Sequence, residues 1–193
     1  GTHGKTTTST LAAWLNHAAA GEGSAFLGGI STNFASNLVL GEGRRLVVEA
    51  DEYDRSFLRL WPDVAVITAT DADHLDIYGT AEAMVEAFEQ FASQIKEGGS
   101  LILKQGVAFH FDTKGRNLYR YSCDAGGDFH AENIRLIEGG HYRYDIVLPD
   151  GRIEDCELGI LGKVHIENSV AAVAMLWCAA KREGKALDSV AVR

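Results

Sequence analysis

Gly1-Thr2-His3-Gly4-Lys5-Thr6-Thr7-Thr8 opens the chain, and its reading sets the fold class. Two glycines permit a tight turn whose backbone N–H groups face an anion. Lys5 supplies a point charge for terminal phosphates. Thr6 places a hydroxyl where a magnesium ion would sit, and the following helix aims its positive end at the same place. The generic phosphate loop has four residues between its glycines; here there are two, Thr2 and His3. A threonine-capped helix would begin the same way, so the loop gains meaning from what shares its end of the fold. A phosphate loop follows a buried strand. The expectation is therefore a chain cut just after a first strand, with one strand of the sheet preceding Gly1.

Outward from the loop, residues 5–20 read as a helix with Leu11, Trp14, Leu15 and Ala18 on its inner face, stopped by Gly21. On this reading Trp14 is core rather than a platform for a base. Ser24–Leu27 is a short strand ending at Gly28-Gly29. The small polar residues 30–37 read as a loop, either a surface connection or a wall for a polar substrate. Arg45–Ala50 and Val64–Thr68 are buried strands with a short helix, Ser56–Trp61, between them. Thr80 caps a helix running to about Ile95, and Ser100–Lys104 is a further strand. Strands alternating with helices imply parallel crossovers and a sheet covered on both faces. From about residue 118 the texture changes. Asn117–Ser122, Asp128–Ile137, His141–Leu148 and Arg152–Glu157 alternate apolar and polar residues. Gly126-Gly127, Gly139-Gly140 and Asp150-Gly151 separate them, as in hairpins. The fold class is thus α/β, a mostly parallel sheet flanked by helices, with a small appended antiparallel sheet. Residues 166–182 return to helix, and Asp188 begins another.

Two acidic stretches follow predicted strands: Glu49-Ala50-Asp51-Glu52-Tyr53-Asp54 and Asp71-Ala72-Asp73-His74-Leu75-Asp76. Ligands of open parallel sheets bind beyond the carboxyl ends of the strands, where the phosphate loop must also lie. Acids beside a phosphate loop suit magnesium, which takes hard oxygen ligands and keeps several waters. Glu49, at the strand end, is the metal candidate. Asp51, Glu52 and Asp54 read as solvated loop charges. His74 could be a ligand, a general base or a capped loop histidine; beside the other two stretches the ligand reading is favoured.

The net charge of −9 argues against general nucleic-acid binding. Cys123, Cys156 and Cys178 lack zinc spacing and suggest a reducing compartment. No apolar run is long enough to span a bilayer.

Together these stretches resemble the Mur ligase family of peptidoglycan synthesis. Residues 1–8 look like its phosphate loop, in the short-spaced form of the alanine-adding branch. Glu49-Ala50-Asp51-Glu52 and Asp73-His74-Leu75-Asp76 match the next two motifs. Gly162-Lys163-Val164-His165-Ile166-Glu167-Asn168 looks like the fourth, which opens a helix and faces the adenine. The resemblance implies that residues 1–193 are the central ATP-binding domain of a cytoplasmic three-domain ligase. An N-terminal UDP-sugar domain and a C-terminal amino-acid domain would complete it. The implied reaction is ATP-driven: the lactyl carboxylate of UDP-N-acetylmuramate is phosphorylated, and the amine of L-alanine attacks the acyl phosphate.

By the same resemblance, Gly1, Thr2, His3, Gly4, Lys5, Thr6, Thr7, His165 and Asn168 bind ATP, and Lys5, Glu49 and His74 are catalytic. Thr6 and Glu49 hold one magnesium ion, and His74 holds a second. Gly28-Gly29 and the loop after it resemble the segment near the UDP-sugar. The family usually has Asn where this chain has His165. Several sister ligases carry a carbamoylated lysine in the helix after the His motif; residues 80–95 hold none, only Glu86 and Glu89 nearby, as in the alanine-adding branch.

Three rivals remain. The branch that recycles a whole peptide onto the same sugar shares the Glu-Ala-Asp-Glu-Tyr-Asp form of residues 49–54. A nucleotide switch without chemistry has no use for Glu49 and His74 together. A metal-dependent hydrolase leaves Lys5 and the glycine turn unexplained.

Overall fold

The computed structural model describes residues 2–20, 23–71, 75–107, 110–124 and 126–192. The loop leads into α1 (Lys5–Ala20). A hairpin follows, β1 (Ser24–Ser31) and β2 (Ser36–Val39), then β3 (Leu46–Val48), a 3-10 turn at Ser56–Arg59 and β4 (Val64–Ile67). One turn of helix, α2 (Leu75–Tyr78), precedes α3 (Ala81–Ser93), β5 (Ser100–Lys104) and β6 (Asn117–Tyr121). An antiparallel sheet, β7 (His130–Leu136), β8 (Tyr142–Leu148) and β9 (Gly151–Leu158), leads to α4 (Val164–Arg182).

The strands form sheets ordered β2-β1-β3, β4-β5-β6 and β7-β8-β9. β3 runs parallel to β1, and β4, β5 and β6 are mutually parallel. β5 is an apolar run buried on both faces, as a central parallel strand should be. Leu101 and Leu103 pack under Met84, Phe88 and Phe91 of α3, while Ile102 faces Val170, Ala174 and Trp177 of α4. Thr80 caps α3 by accepting the Ala83 N–H at 3.2 Å.

Several expectations change. The fully buried positions of α1 are Thr8, Ser9, Ala12, Ala13 and Asn16; of the expected stripe, Leu11 and Leu15 pack half-buried against the core, while Trp14 and Ala18 are exposed. Trp14 is 40% exposed and packs edge-on against Phe34. Small residues win the inner face because α1 lies against α4, where Ala12 and Ala13 meet Ala172 and Leu176. β1 continues through both glycines to Ser31 and turns back into β2, so residues 30–37 form the tip of a hairpin rather than a loop. Asn117–Tyr121 joins the parallel sheet, Asn117 opposite Ser100, instead of the antiparallel one. Alternating residue types mark a strand with one open face; they do not reveal its direction. Gly126-Gly127 is accordingly no hairpin turn. Gly127, at φ +82°, lets the chain pass so close to the Arg120 carbonyl that a side chain would clash. The other two hairpins form as expected. Asp188 begins no helix among the described residues; its carboxylate accepts the Val190 and Ala191 amides in a turn.

β3 and β4 do not pair. A cavity of about 1220 Å³ separates them. Its walls are Ala12 of α1 and Leu176 of α4 on one side, and Phe57, Phe88 and Phe91 on the other. The two strands point the same way. Their carboxyl ends meet the phosphate loop, through Glu49 to Thr6 and Thr68 to the His3 carbonyl. Their amino ends meet the end of α4, through Arg45 to Glu183 and Arg182 to Asp63.

The Arg45–Glu183 pair is bidentate, at 2.7 and 2.9 Å. The Arg45 hydrogen bonds, with help from Lys185, pull the Glu183 carboxyl down to about 2. A depressed folded-state value means the pair stabilises the fold above the ordinary carboxylate range and stops doing so as pH falls through about 2. Glu183→Gln should therefore melt below the parent at pH 7. The gap should close as pH falls from about 4.5 toward 2 in a thermal-melt series; a pH-independent gap would refute the assignment.

Candidate active site

The site forms where α1, β1, β3 and β4 converge. Gly4 takes φ +75°, the left-handed turn that frees the loop to enter α1, and the Thr8 amide closes the first helical turn on the Gly4 carbonyl at 2.9 Å. The Thr68 hydroxyl, at the end of β4, donates to the His3 carbonyl and fixes the loop to the sheet. His3 itself is exposed, 3.5 Å from Asp71.

Glu49 is the hub. Its Oε1 accepts the Thr6 hydroxyl at 2.9 Å; its Oε2 accepts the Gly28 amide at 2.7 Å and the Ser9 hydroxyl at 3.1 Å. The Glu49 amide in turn donates to the Phe26 carbonyl, so β1 and β3 aim the carboxylate jointly. Two oxygens on adjacent corners of a magnesium octahedron, with bonds of about 2.0–2.1 Å, lie about 2.9 Å apart. The Thr6–Glu49 pair has that spacing. Hydroxyl and carboxylate are also hard oxygen donors, so these residues fit the ion.

Gly28 must stay a glycine. A Cβ there would come within 2.6 Å of Glu49 Oε2, while one at Gly29 would meet only Thr6 Cγ2 at 3.6 Å. Gly28→Ala should raise the magnesium concentration for half-maximal activity about tenfold, because the added methyl group displaces the Glu49 carboxylate; Gly29→Ala should change it little. Equal effects in a magnesium titration would remove Glu49 from the metal.

Lys5 has a partner that sequence reasoning missed. Its Nζ lies 2.6 Å from Glu52 Oε1 and 3.6 Å from Asp51. Glu52 is fully buried, which corrects its reading as a solvated charge. The Tyr78 hydroxyl donates to the Glu52 carbonyl at 2.6 Å and locks that turn. Nothing in the spacing of residues 49–54 separates Glu52 from its neighbours; only the approach of Lys5, 47 residues away, does. Asp51 and Asp54 are exposed, as expected. Hydrogen bonds from Ser56 hold the Asp54 carboxyl below its usual range. Its Oδ1 accepts the Ser56 amide at 2.9 Å, at the start of the 3-10 turn.

Asn168, in the first turns of α4, reaches the same loop. Its Oδ1 lies 3.4 Å from the Thr8 hydroxyl, and its Nδ2 lies 3.4 Å from His165 Nδ1. Gly4, Lys5, Thr6, Glu49, Asn168 and His165 are thus gathered at one end of the fold. Gly1, Asp73 and His74 lie outside the described residues.

Residues 1–176 match the family model of the Mur ligase middle domain. The chain is 51% identical over 177 residues to the UDP-N-acetylmuramate–L-alanine ligase of Phocaeicola vulgatus, covering 91% of this chain and 38% of the relative. It is 50% identical over 179 residues to the enzyme of the same name from Parabacteroides distasonis, covering 92% of this chain and 38% of that relative. The chain therefore spans about two fifths of the length of these relatives. Two solved structures share the fold. The UDP-N-acetylmuramate-alanine ligase of Thermotoga maritima superposes with a TM-score of 0.77 at 22% identity, over all of this chain and 43% of the other. The UDP-N-acetylmuramate:L-alanyl-gamma-D-glutamyl-meso-diaminopimelate ligase of Neisseria meningitides gives 0.77 at 21%, over all of this chain and 63% of the other. With this match running through the loop, the acidic hub and most of α4, the chain belongs to the Mur ligase family, as a middle domain.

Proposed function

We propose that the chain is the ATP- and magnesium-binding domain of a cytoplasmic ligase that joins L-alanine to UDP-N-acetylmuramate in peptidoglycan precursor synthesis. The observation that carries this is the meeting of Lys5, Thr6 and Glu49 at the strand ends, with Thr6 and Glu49 at the spacing of magnesium ligands. Identity of half over nearly the whole chain to enzymes of that name supports the branch. The chain then lies between a UDP-sugar domain and an amino-acid domain, and the strand leading into Gly1 fills the cleft between β3 and β4. Among the described residues no helix is long and apolar enough to cross a membrane.

In this reading Lys5 turns from Glu52 toward the β- and γ-phosphates, and the loop amides hold them. Thr6 and Glu49 would hold a magnesium ion that neutralises phosphoryl charge, and His74 would hold a second. The substrate carboxylate oxygen bonds to the γ-phosphorus as the bond to ADP breaks. The alanine amine then attacks the acyl carbon, releasing phosphate and a proton and leaving the amide. Lys5 and the loop amides act by fixing and stabilising charge that develops on the transferring group.

The test is phosphate release by the full-length protein given ATP, magnesium and UDP-N-acetylmuramate, with L-alanine or with L-alanyl-γ-D-glutamyl-diaminopimelate. Release with alanine alone is expected. Release with the tripeptide alone would move the protein to the recycling branch, and release with neither would leave a nucleotide switch.

A further inference from the structure

The single turn of α2 (Leu75–Tyr78) is too short to hold its own place. Contacts from the turn after β3 hold it. Tyr78 is buried, and its hydroxyl donates to the Glu52 carbonyl at 2.6 Å. The same carbonyl accepts the Arg55 amide at 3.2 Å. The Arg55 side chain returns the contact. Its guanidinium lies over the Tyr78 ring, 4.8 Å from the centroid. Its Nη2 donates at 3.2 Å to the Ile77 carbonyl, which the end of α2 leaves without a helical partner. Arg55 does this from a left-handed backbone, φ +58°, which a Cβ disfavours and glycine takes freely. The same turn presents Glu52 Oε1 to Lys5 Nζ at 2.6 Å. Arg55 and Tyr78 thus join the turn that holds Lys5 to the helix that starts directly after His74.

We propose that Arg55 and Tyr78 are positioning residues: they keep α2, and with it the point where His74 enters that helix, in register with Lys5 and Glu49. Two variants divide the clamp. Tyr78→Phe keeps the ring under Arg55 and removes only the hydroxyl tie to Glu52. Arg55→Gly removes both contacts to α2 and relieves the left-handed backbone, so any loss of turnover is not the result of added strain. The inference rests on the reading of His74 as a ligand of a second magnesium ion.

The experiment measures turnover of the full-length protein at saturating ATP, UDP-N-acetylmuramate and L-alanine, over a range of magnesium concentrations. Its variants are Arg55→Gly, Tyr78→Phe, His74→Ala, and His74→Ala combined with Arg55→Gly. Arg55→Gly and Tyr78→Phe should each lower kcat about tenfold, as a slightly misplaced reacting group does. Each should also raise the magnesium concentration for half-maximal turnover and leave KM for ATP as in the parent. In the combined variant Arg55→Gly should add no loss to that of His74→Ala, because it acts through that residue. Parental kcat in either clamp variant, while His74→Ala is impaired, would overturn the proposal. So would a lowered kcat at an unshifted magnesium requirement, or a further loss of the same factor in the combined variant. Should His74→Ala leave no measurable turnover, the magnesium shift in the two clamp variants decides. Should thermal melts show Tyr78→Phe unfolded, Arg55→Gly decides alone. Parental magnesium dependence in His74→Ala would instead defeat the second-ion reading, and this inference with it.

Discussion

Lys5→Met in the full-length protein should abolish ligation and destabilise the fold as well. Removing the cation from the transferring phosphoryl group should cost about a thousandfold or more in turnover. The stability loss comes from Glu52. Its carboxylate is fully buried 2.6 Å from Lys5 Nζ, and deleting one partner of a buried ion pair costs about 3 kcal/mol. Adding Glu52→Gln should separate the two effects. The double variant removes the buried charge together with its counterion, so the melting temperature should recover most of the loss while turnover stays absent. Phosphate-release assays and denaturant melts on both variants decide the matter. Near-parental turnover in Lys5→Met would remove the phosphate role; full stability in the single variant would remove the pairing.

A protein that starts about ten residues before Gly1 should be more stable than one that starts at Gly1, by about 3 kcal/mol or about 10 °C in melting temperature. The cleft between β3 and β4 is the reason. Apolar side chains of α1, α3 and α4 line its middle between polar ends, and the contacts at those ends set the two flanking strands pointing the same way. A strand entering Thr2 would pair with both and bury its side chains on both faces. Native hydrogen exchange on the longer protein should find the amides of Leu46–Val48 and Val64–Ile67 among the slowest to exchange. Fast exchange there, with β5 still protected, would show the cleft open and defeat the strand.

The acidic stretch 49–54 shows how far residue patterns reach. Glu49 was legible as the acid that meets the phosphate loop because it ends an apolar strand beside that loop. Glu52 was not, because its burial depends on Lys5 and Tyr78, which no local pattern connects to it. Trp14 teaches the same lesson in reverse. Helical spacing predicts a stripe, but which stripe is buried depends on the neighbour. The close approach of α4 selects Ala12 and Ala13 over the larger side chain.

By itself the sequence determined the order of the long helices and the parallel strands, the core around β5, the phosphate loop, and the acid that meets it. These rest on short-range rules: apolar periodicity, caps and glycine turns. Only the tertiary structure decided that β6 runs with β5, that Gly28 holds Glu49, that Glu52 is a buried counterion, and that Asn168 faces the loop. Each is a meeting of residues 17 to 160 positions apart. Strand direction and side-chain partners at that range are set by packing across the core, which the local alternation of residue types does not encode.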